Sequence, residues 1–288
     1  MKKYKEKIME IVFLIAACIC ILAVALICIF LFINGIPAIK EIGFFNFIFG
    51  IKWKPANDLY GIFPMILGSI YVTTGAIIIG VPIGIFTAIF MAKFCPKKLY
   101  RFLKPSIELL AGIPSVVYGF FGLVVLVPLI RDTFVIDGVT NTGYNILTAS
   151  ILLGIMILPT IIGVSESSIR AVPESYYEGS LALGASHERS VFFATLPAAK
   201  SGITAAVVLG IGRAVGETMA VVMIAGNQTA LPRGVLDGVR TLTSNIVMEM
   251  GYATDLHRGS LIATGVVLFV FILIINLLFS LLKRRSKF

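Results

Sequence analysis

The chain has 288 residues, of which 58% are hydrophobic and 14% charged, with a net charge of +9. Soluble domains carry roughly 25% charged residues, so a soluble fold of this size is excluded and lipid must solvate much of the chain. The cations sit in short segments between apolar runs, which is the pattern of a membrane protein and not of a nucleic-acid-binding one.

A spanning helix needs about 20 mainly apolar residues. The first such run, Ile11 to Ile33, follows Lys2, Lys3, Lys5 and Lys7 and ends in Asn34-Gly35-Ile36-Pro37. A secretory signal has an apolar core of roughly 7–15 residues and a small-residue cleavage site, so this longer run reads as a retained anchor. Cys18, Cys20 and Cys28 lie inside it and read as small packing residues, while Cys95 stands alone in a lysine-rich loop. Neither a disulfide framework nor a metal site is expected from this pattern. Five further spans are predicted, at about Gly68 to Met91, Ile107 to Ile130, Ile146 to Val164, Ile203 to Ala225 and Gly259 to Leu282. Pro82, Pro114, Pro128 and Pro159 fall inside them, which membrane helices tolerate where neighbours satisfy the freed carbonyl.

Positive charge sets orientation. With the N-terminus in the cytoplasm, the inner segments hold sixteen Lys and Arg, from Lys2 to Lys287, and the outer ones seven. Both termini are therefore expected inside. Two outer connections, Asn34 to Gly61 and Gly226 to Arg258, are long enough to receive a partner or to be ordinary structured links. Trp53 and Tyr60 in the first of them suit a membrane–water interface.

The inner segment 165–201 is the most informative. Pro173 can open a short helix, Leu181 and Leu183 give it an apolar side, and Gly184 can end it in a left-handed turn. Ser186 can cap a second short helix with Glu188 near its positive end. The expected product is a helix–turn–helix knob; the alternative is an amphipathic connector on the membrane surface.

Here the chain resembles the permeases of ATP-binding-cassette importers. Their inner signature is Glu-Ala-Ala, three residues, Gly, nine residues, then Ile-x-Leu-Pro. Glu178, Gly184, Leu196 and Pro197 keep that spacing, whereas Gly179, Ser180 and Ala194 depart from it. The resemblance implies that Glu178, Gly179, Ser180, Leu183, Gly184, Ala185 and Ser186 belong to a coupling helix that meets a partner ATPase. The stretch Ala111-Gly112-Ile113-Pro114-Ser115-Val116-Val117-Tyr118-Gly119-Phe120 and the stretch Gly212-Arg213-Ala214-Val215-Gly216-Glu217-Thr218-Met219-Ala220 are similar to phosphate permeases of the PstC type. That resemblance implies an all-α bundle of six spans, of the type I importer kind, forming one permease domain over residues 1–288, with an anchor at about 11–33 and a core at about 62–282. It also implies a bacterial plasma-membrane location, a heterodimer with a PstA-type permease, two PstB-type ATPases and an outer PstS-type phosphate-binding protein. ATP and Mg would be bound by the partner ATPase and no cofactor by this chain.

Arg213 and Glu217 lie within the fifth predicted span, where a mid-membrane charge costs about 2.5–3.5 kcal/mol on insertion scales. At i and i+4 on one helix they could pair. The functional reading is an anion path: Arg213 offers a forked donor for phosphate oxygens, and Glu217 holds it or yields to the passing anion. The structural reading is an ion pair that locks two helices. Gly212, Gly216 and Ala220 would form a small-residue stripe for close helix approach. Pro114 frees the carbonyl of Leu110, and with Ser115 and Tyr118 marks a candidate gate or a packing kink. Glu108 is expected to be solvated. Gly210-x-Gly212 lies inside a span and follows no strand, and no Walker A sequence occurs, so ATP hydrolysis by this chain is not expected. His187 and His257 fall on opposite sides and cannot share a metal. Three rivals remain open at this level: a permease for molybdate or sulfate, a secondary transporter or channel, and an intramembrane enzyme, although no catalytic pair is visible.

Overall fold

A computed structural model describes residues 2–134 and 141–285. Lys287, counted among the inner cations, and the final residues of the 1–288 domain assignment lie outside the described part.

Six helical runs are long and apolar enough to cross a membrane, as the sequence predicts, but several are longer or shorter than expected. The first helix, α1 (Lys2–Ile42), continues through Asn34-Gly35-Ile36-Pro37 where the sequence predicts an end. A proline in a helix interior loses a hydrogen bond, yet the chain stays helical because Gly35 presses α1 onto the last helix, α13 (Asp255–Arg285): a Cβ at Gly35 would lie 2.7 Å from Val266. Phe32 meets Phe269 edge to face at the same seam. The earlier part of α1 touches little of the chain. Cys18 and Cys20 face outward there and do not pack inside.

The short α2 (Phe44–Phe49) and a two-residue hairpin, β1 (Trp53–Lys54) and β2 (Leu59–Tyr60), fill the first outer connection. The second span, α3 (Phe63–Ile89), runs on through a π-helical turn at Phe90–Phe94. It packs on α7 (Ile146–Arg170), the most buried span. The contact is set by glycine: a Cβ on Gly75, Gly80 or Gly84 would collide with Ser150, Ile157 or Ile161 respectively. Lipid tails give no hydrophobic drive between helices, so close backbone approach of this kind supplies the association.

The predicted third span is corrected. Helix α4 (Lys97–Gly112) lies before it and has no buried residue; the chain then breaks at Ile113 and Pro114, and the span proper begins with α5 (Ser115–Phe121). A π-helical turn and α6 (Val127–Thr133) complete it. The fifth span is also corrected. It starts near α9 (His187–Ser190), continues as α10 (Leu196–Gly216), and breaks at Glu217 and Thr218 before α11 (Met219–Ile224). The predicted inner loop of 165–201 thus shrinks, because α7 runs to Arg170 and helix resumes at α8 (Glu174–Ala182).

One end of the bundle is closed by a polar core. Trp53 and Tyr60 are each only 4% exposed, packed inside the chain and not presented to its surroundings. The indole N–H of Trp53 donates to Glu249 Oε2 at 2.9 Å. Glu249 closes α12 (Leu242–Glu249) and also pairs with Arg240 and with His257 Nε2 at 2.8 Å. His257 therefore has close partners of its own. The connection after the first span and the one before the last are joined through this one carboxylate. Removing one partner of a buried ion pair strands the other charge, at about 3–5 kcal/mol. Glu249→Ala is expected to lower the thermal transition of the purified protein sharply, whereas Lys54→Ala, an exposed neighbour, is expected to leave it within about 0.5 kcal/mol.

Candidate functional site in the broken spans

The two sequence stretches that resemble phosphate permeases coincide with the two breaks, and the fold brings them together. Ile113 and Pro114 are both extended, so the proline ends the helix outright and does not merely kink it. The carbonyl of Leu110, freed by Pro114, accepts from the Tyr118 hydroxyl at 2.8 Å. Tyr118 is 5% exposed and turned into the bundle, Ser115 is the first residue of α5, and Pro114 faces outward. One turn on, α5 meets α11: a Cβ at Gly119 would lie 2.6 Å from the Met223 sulfur and 3.1 Å from Ala220 Cα.

The break at Glu217 separates the residues that a continuous helix would have paired. No Arg213–Glu217 ion pair within 4.0 Å occurs among the described residues. Glu217 is extended, and its Oε1 accepts from the backbone N–H groups of Thr218 at 3.1 Å and Ala220 at 3.2 Å. The carboxylate thereby satisfies amides exposed at the start of α11. The backbone carbonyl of Glu217 accepts from Thr243 of α12 at 3.1 Å. Neither the holding of Arg213 by Glu217 nor a helix-locking pair between them matches this geometry.

Arg213 is left half-buried, near the middle of α7, where its Nη1 donates to Thr160 Oγ1 at 3.2 Å. No carboxylate lies within ion-pair distance of it among the described residues. Gly212 and Gly216 beside it face open space, with nothing within 4 Å of a Cβ at either position. The expected stripe of Gly212, Gly216 and Ala220 is therefore not a helix–helix contact; the break rotates Ala220 onto α5, and Gly210 takes the close approach, against Ile161. The result is a cationic fork beside an open glycine-lined face.

The predicted knob forms as two short helices. Helix α8 follows Pro173, and Gly184 has φ +85°. Its N–H bonds the carbonyl of Leu181 at 2.9 Å, and the Ala185 N–H bonds that of Ser180 at 3.2 Å. This is a Schellman termination, which needs a left-handed residue and so favours glycine. The Ser186 side chain accepts from the Arg189 N–H, starting α9. Glu178 and Gly179 are exposed along α8, and Leu183, just past its end, is 91% exposed. Leu183 therefore leaves the helix before it can contribute to an apolar side.

One feature escaped the sequence. Glu166, 1% exposed in the last turns of α7, accepts from the Tyr100 hydroxyl at 2.9 Å and from Lys104 at 2.7 Å, and pairs with Arg170. Arg170 also donates to the Met91 carbonyl at 2.8 Å and lies 4.5 Å over the Tyr100 ring. The hydrogen bond to Glu166 holds the Lys104 pKa above the usual lysine value. This interaction is therefore fully present below the ordinary lysine pKa and is lost only as pH rises through the elevated one. Glu166 and Arg170 at i and i+4 were the available signal. They stood past the predicted end of the fourth span, where charges look solvated. Glu108, by contrast, is exposed as expected.

Comparison with known proteins places this geometry. The family described as binding-protein-dependent transport system inner membrane component matches residues 80–288. A probable ABC transporter permease, YqgH of Bacillus subtilis (strain 168), is 40% identical over 95% of this chain and 90% of its own length. The phosphate transport system permease PstC of Mesorhizobium japonicum is 34% identical over 83% of this chain and 78% of its own. The probable PstC of Methanocaldococcus jannaschii is 34% identical over 96% and 94%. Among solved structures, a chain of the inward-facing MetNI methionine ABC transporter aligns with a TM-score of 0.63 at 19% identity, covering 82% of this chain and all of its own. A chain of a bacterial alginate ABC transporter, solved with an alginate-bound periplasmic protein, has the same score at 17% identity, covering 95% of each. At such identities the structures speak for the fold alone. The sequence matches decide the family: this chain is an ABC importer permease, a member of the binding-protein-dependent transport system inner membrane components.

Proposed function

We propose that this permease moves inorganic phosphate into the cell by alternating access. The observation that carries the reading is Arg213: a half-buried guanidinium hydrogen-bonded to Thr160 near the middle of α7, on a helix whose neighbouring Gly212 and Gly216 meet open space. An intramembrane cation is tolerated only where it lines a path or finds a partner, and a guanidinium fork fits phosphate oxygens. Similarity to PstC proteins supports the same cargo. YqgH carries no cargo in its name, and the structural neighbours transport other substrates, so molybdate or sulfate is the alternative to test.

In this reading the chain sits in the bacterial inner membrane with both termini inside, paired with a PstA-type permease. Two PstB-type ATPases bind ATP and Mg, and a PstS-type protein delivers phosphate from outside. The knob formed by Glu178 to Ser186 meets an ATPase. The bare Leu183 at its tip supports this, because none of the described residues covers that side chain. Tyr118 and the Pro114–Ser115 break stand where two spans are interrupted side by side, the position suited to a gate. Glu217 holds the break in shape and leaves Arg213 free for the anion.

Radiolabelled phosphate uptake at low concentration, in cells lacking the gene and in cells with it restored, tests the cargo. Uptake is expected to depend on the gene and to resist unlabelled sulfate and molybdate. Competition by either would move the assignment to that anion. Arg213→Gln is expected to lower uptake by about tenfold or more, from loss of a charged hydrogen bond of roughly 1.5–3 kcal/mol, with assembly intact by co-purification. Normal uptake by that variant would remove Arg213 from the path. Leu183→Ser is expected to reduce ATPase co-purification and uptake together, while the protein accumulates normally in membranes. Undiminished ATPase binding would take Leu183 out of the interface.

A further inference from the structure

We propose that helix α4 is an interfacial element that rests on the inner leaflet and binds anionic phospholipid headgroups. The case does not depend on which anion is transported. Helix α4 joins the end of the second span to the start of the third, with Lys97, Lys98 and Arg101 in its first turns. Its sixteen residues include none that are buried. At about 100° per residue it presents three sectors. Tyr100, Leu103 and Ile107 pack on the chain's own core, with Lys104 tied to Glu166. That contact fixes the helix's rotation, so the remaining apolar side chains cannot turn inward.

Those side chains form the second sector. Phe102 is 71% exposed, Leu109 73%, and Leu99 and Leu110 are also exposed. Val116, Val117 and Phe120 of the third span, past the break, are exposed too. The third sector carries Lys97, Lys98 and Arg101, all exposed, with Glu108 as the one acid. None of these three cations has an ion-pair partner among the described residues. An exposed apolar arc flanked by free cations is the arrangement of a helix lying in the headgroup region. The inner leaflet is negatively charged and attracts such cations. A second permease subunit is the less suitable cover, because the cores of protein interfaces are depleted of lysine.

The test uses the full chain, purified with its co-assembled subunits and reconstituted in vesicles. One set is phosphatidylcholine alone and the other contains one quarter phosphatidylglycerol. A nitroxide label is placed at Phe102→Cys, and separately at Leu109→Cys, with the four native cysteines replaced by serine. Each label is expected to be accessible to oxygen and shielded from a water-soluble nickel chelate, with a deeper reading in the anionic vesicles. The triple variant Lys97→Gln, Lys98→Gln, Arg101→Gln is expected to abolish the difference between the two lipids. A label open to nickel would place the helix in water, and a label closed to both reagents would place it under another protein subunit; either overturns the proposal. An equal depth in both lipids for the parent protein would overturn its anionic preference. Two label positions keep the result readable if one variant fails to insert.

Discussion

A bilayer offers no hydrogen bonds, so every N–H and C=O freed where a helix breaks has to be answered inside the protein. Two breaks lie side by side in this chain, and each is answered by a side chain a few residues away. Tyr118 takes the Leu110 carbonyl, and Glu217 takes the amides of Thr218 and Ala220. The close contact of Gly119 with Ala220 and Met223 then holds the two interrupted spans together.

The same constraint explains the division of labour between charges. Glu217 looks like a counter-ion for Arg213 when the span is drawn as one helix. In the fold it is an acceptor for stranded backbone donors, and Arg213 donates instead to the Thr160 hydroxyl.

At the two ends of the bundle, single buried carboxylates do the joining. Glu249 ties the connection after the first span to the one before the last through Trp53, Arg240 and His257, and Glu166 ties α4, α7 and the end of the α3 run through Tyr100, Lys104 and Arg170. Each carboxylate is satisfied by several donors, which is what makes burial of a charge tolerable. The knob of α8 and α9 rests on the same end as Glu166: the Tyr177 hydroxyl lies 2.7 Å from His187 Nδ1, and His187 packs on Phe94, in the π-helical segment that Arg170 grips through Met91.

The solvent, the number of spans and the shape of the knob are legible in the amino-acid sequence. Each of these is local: apolar run length sets a span, and Pro173, Gly184 and Ser186 carry their own backbone preferences. The two stretches where the spans break also stand out there. Where helices stop and which charges meet depends on contacts across the fold. Asn34-Gly35-Ile36-Pro37 reads as an end but stays helical, because packing of Gly35 against Val266 outweighs a local preference. Gly216-Glu217-Thr218 reads as helix but breaks, because partners on α12 and in the first turn of α11 satisfy the freed groups. Those partners are distant in sequence or appear only once the break has formed, so no window along the chain contains them.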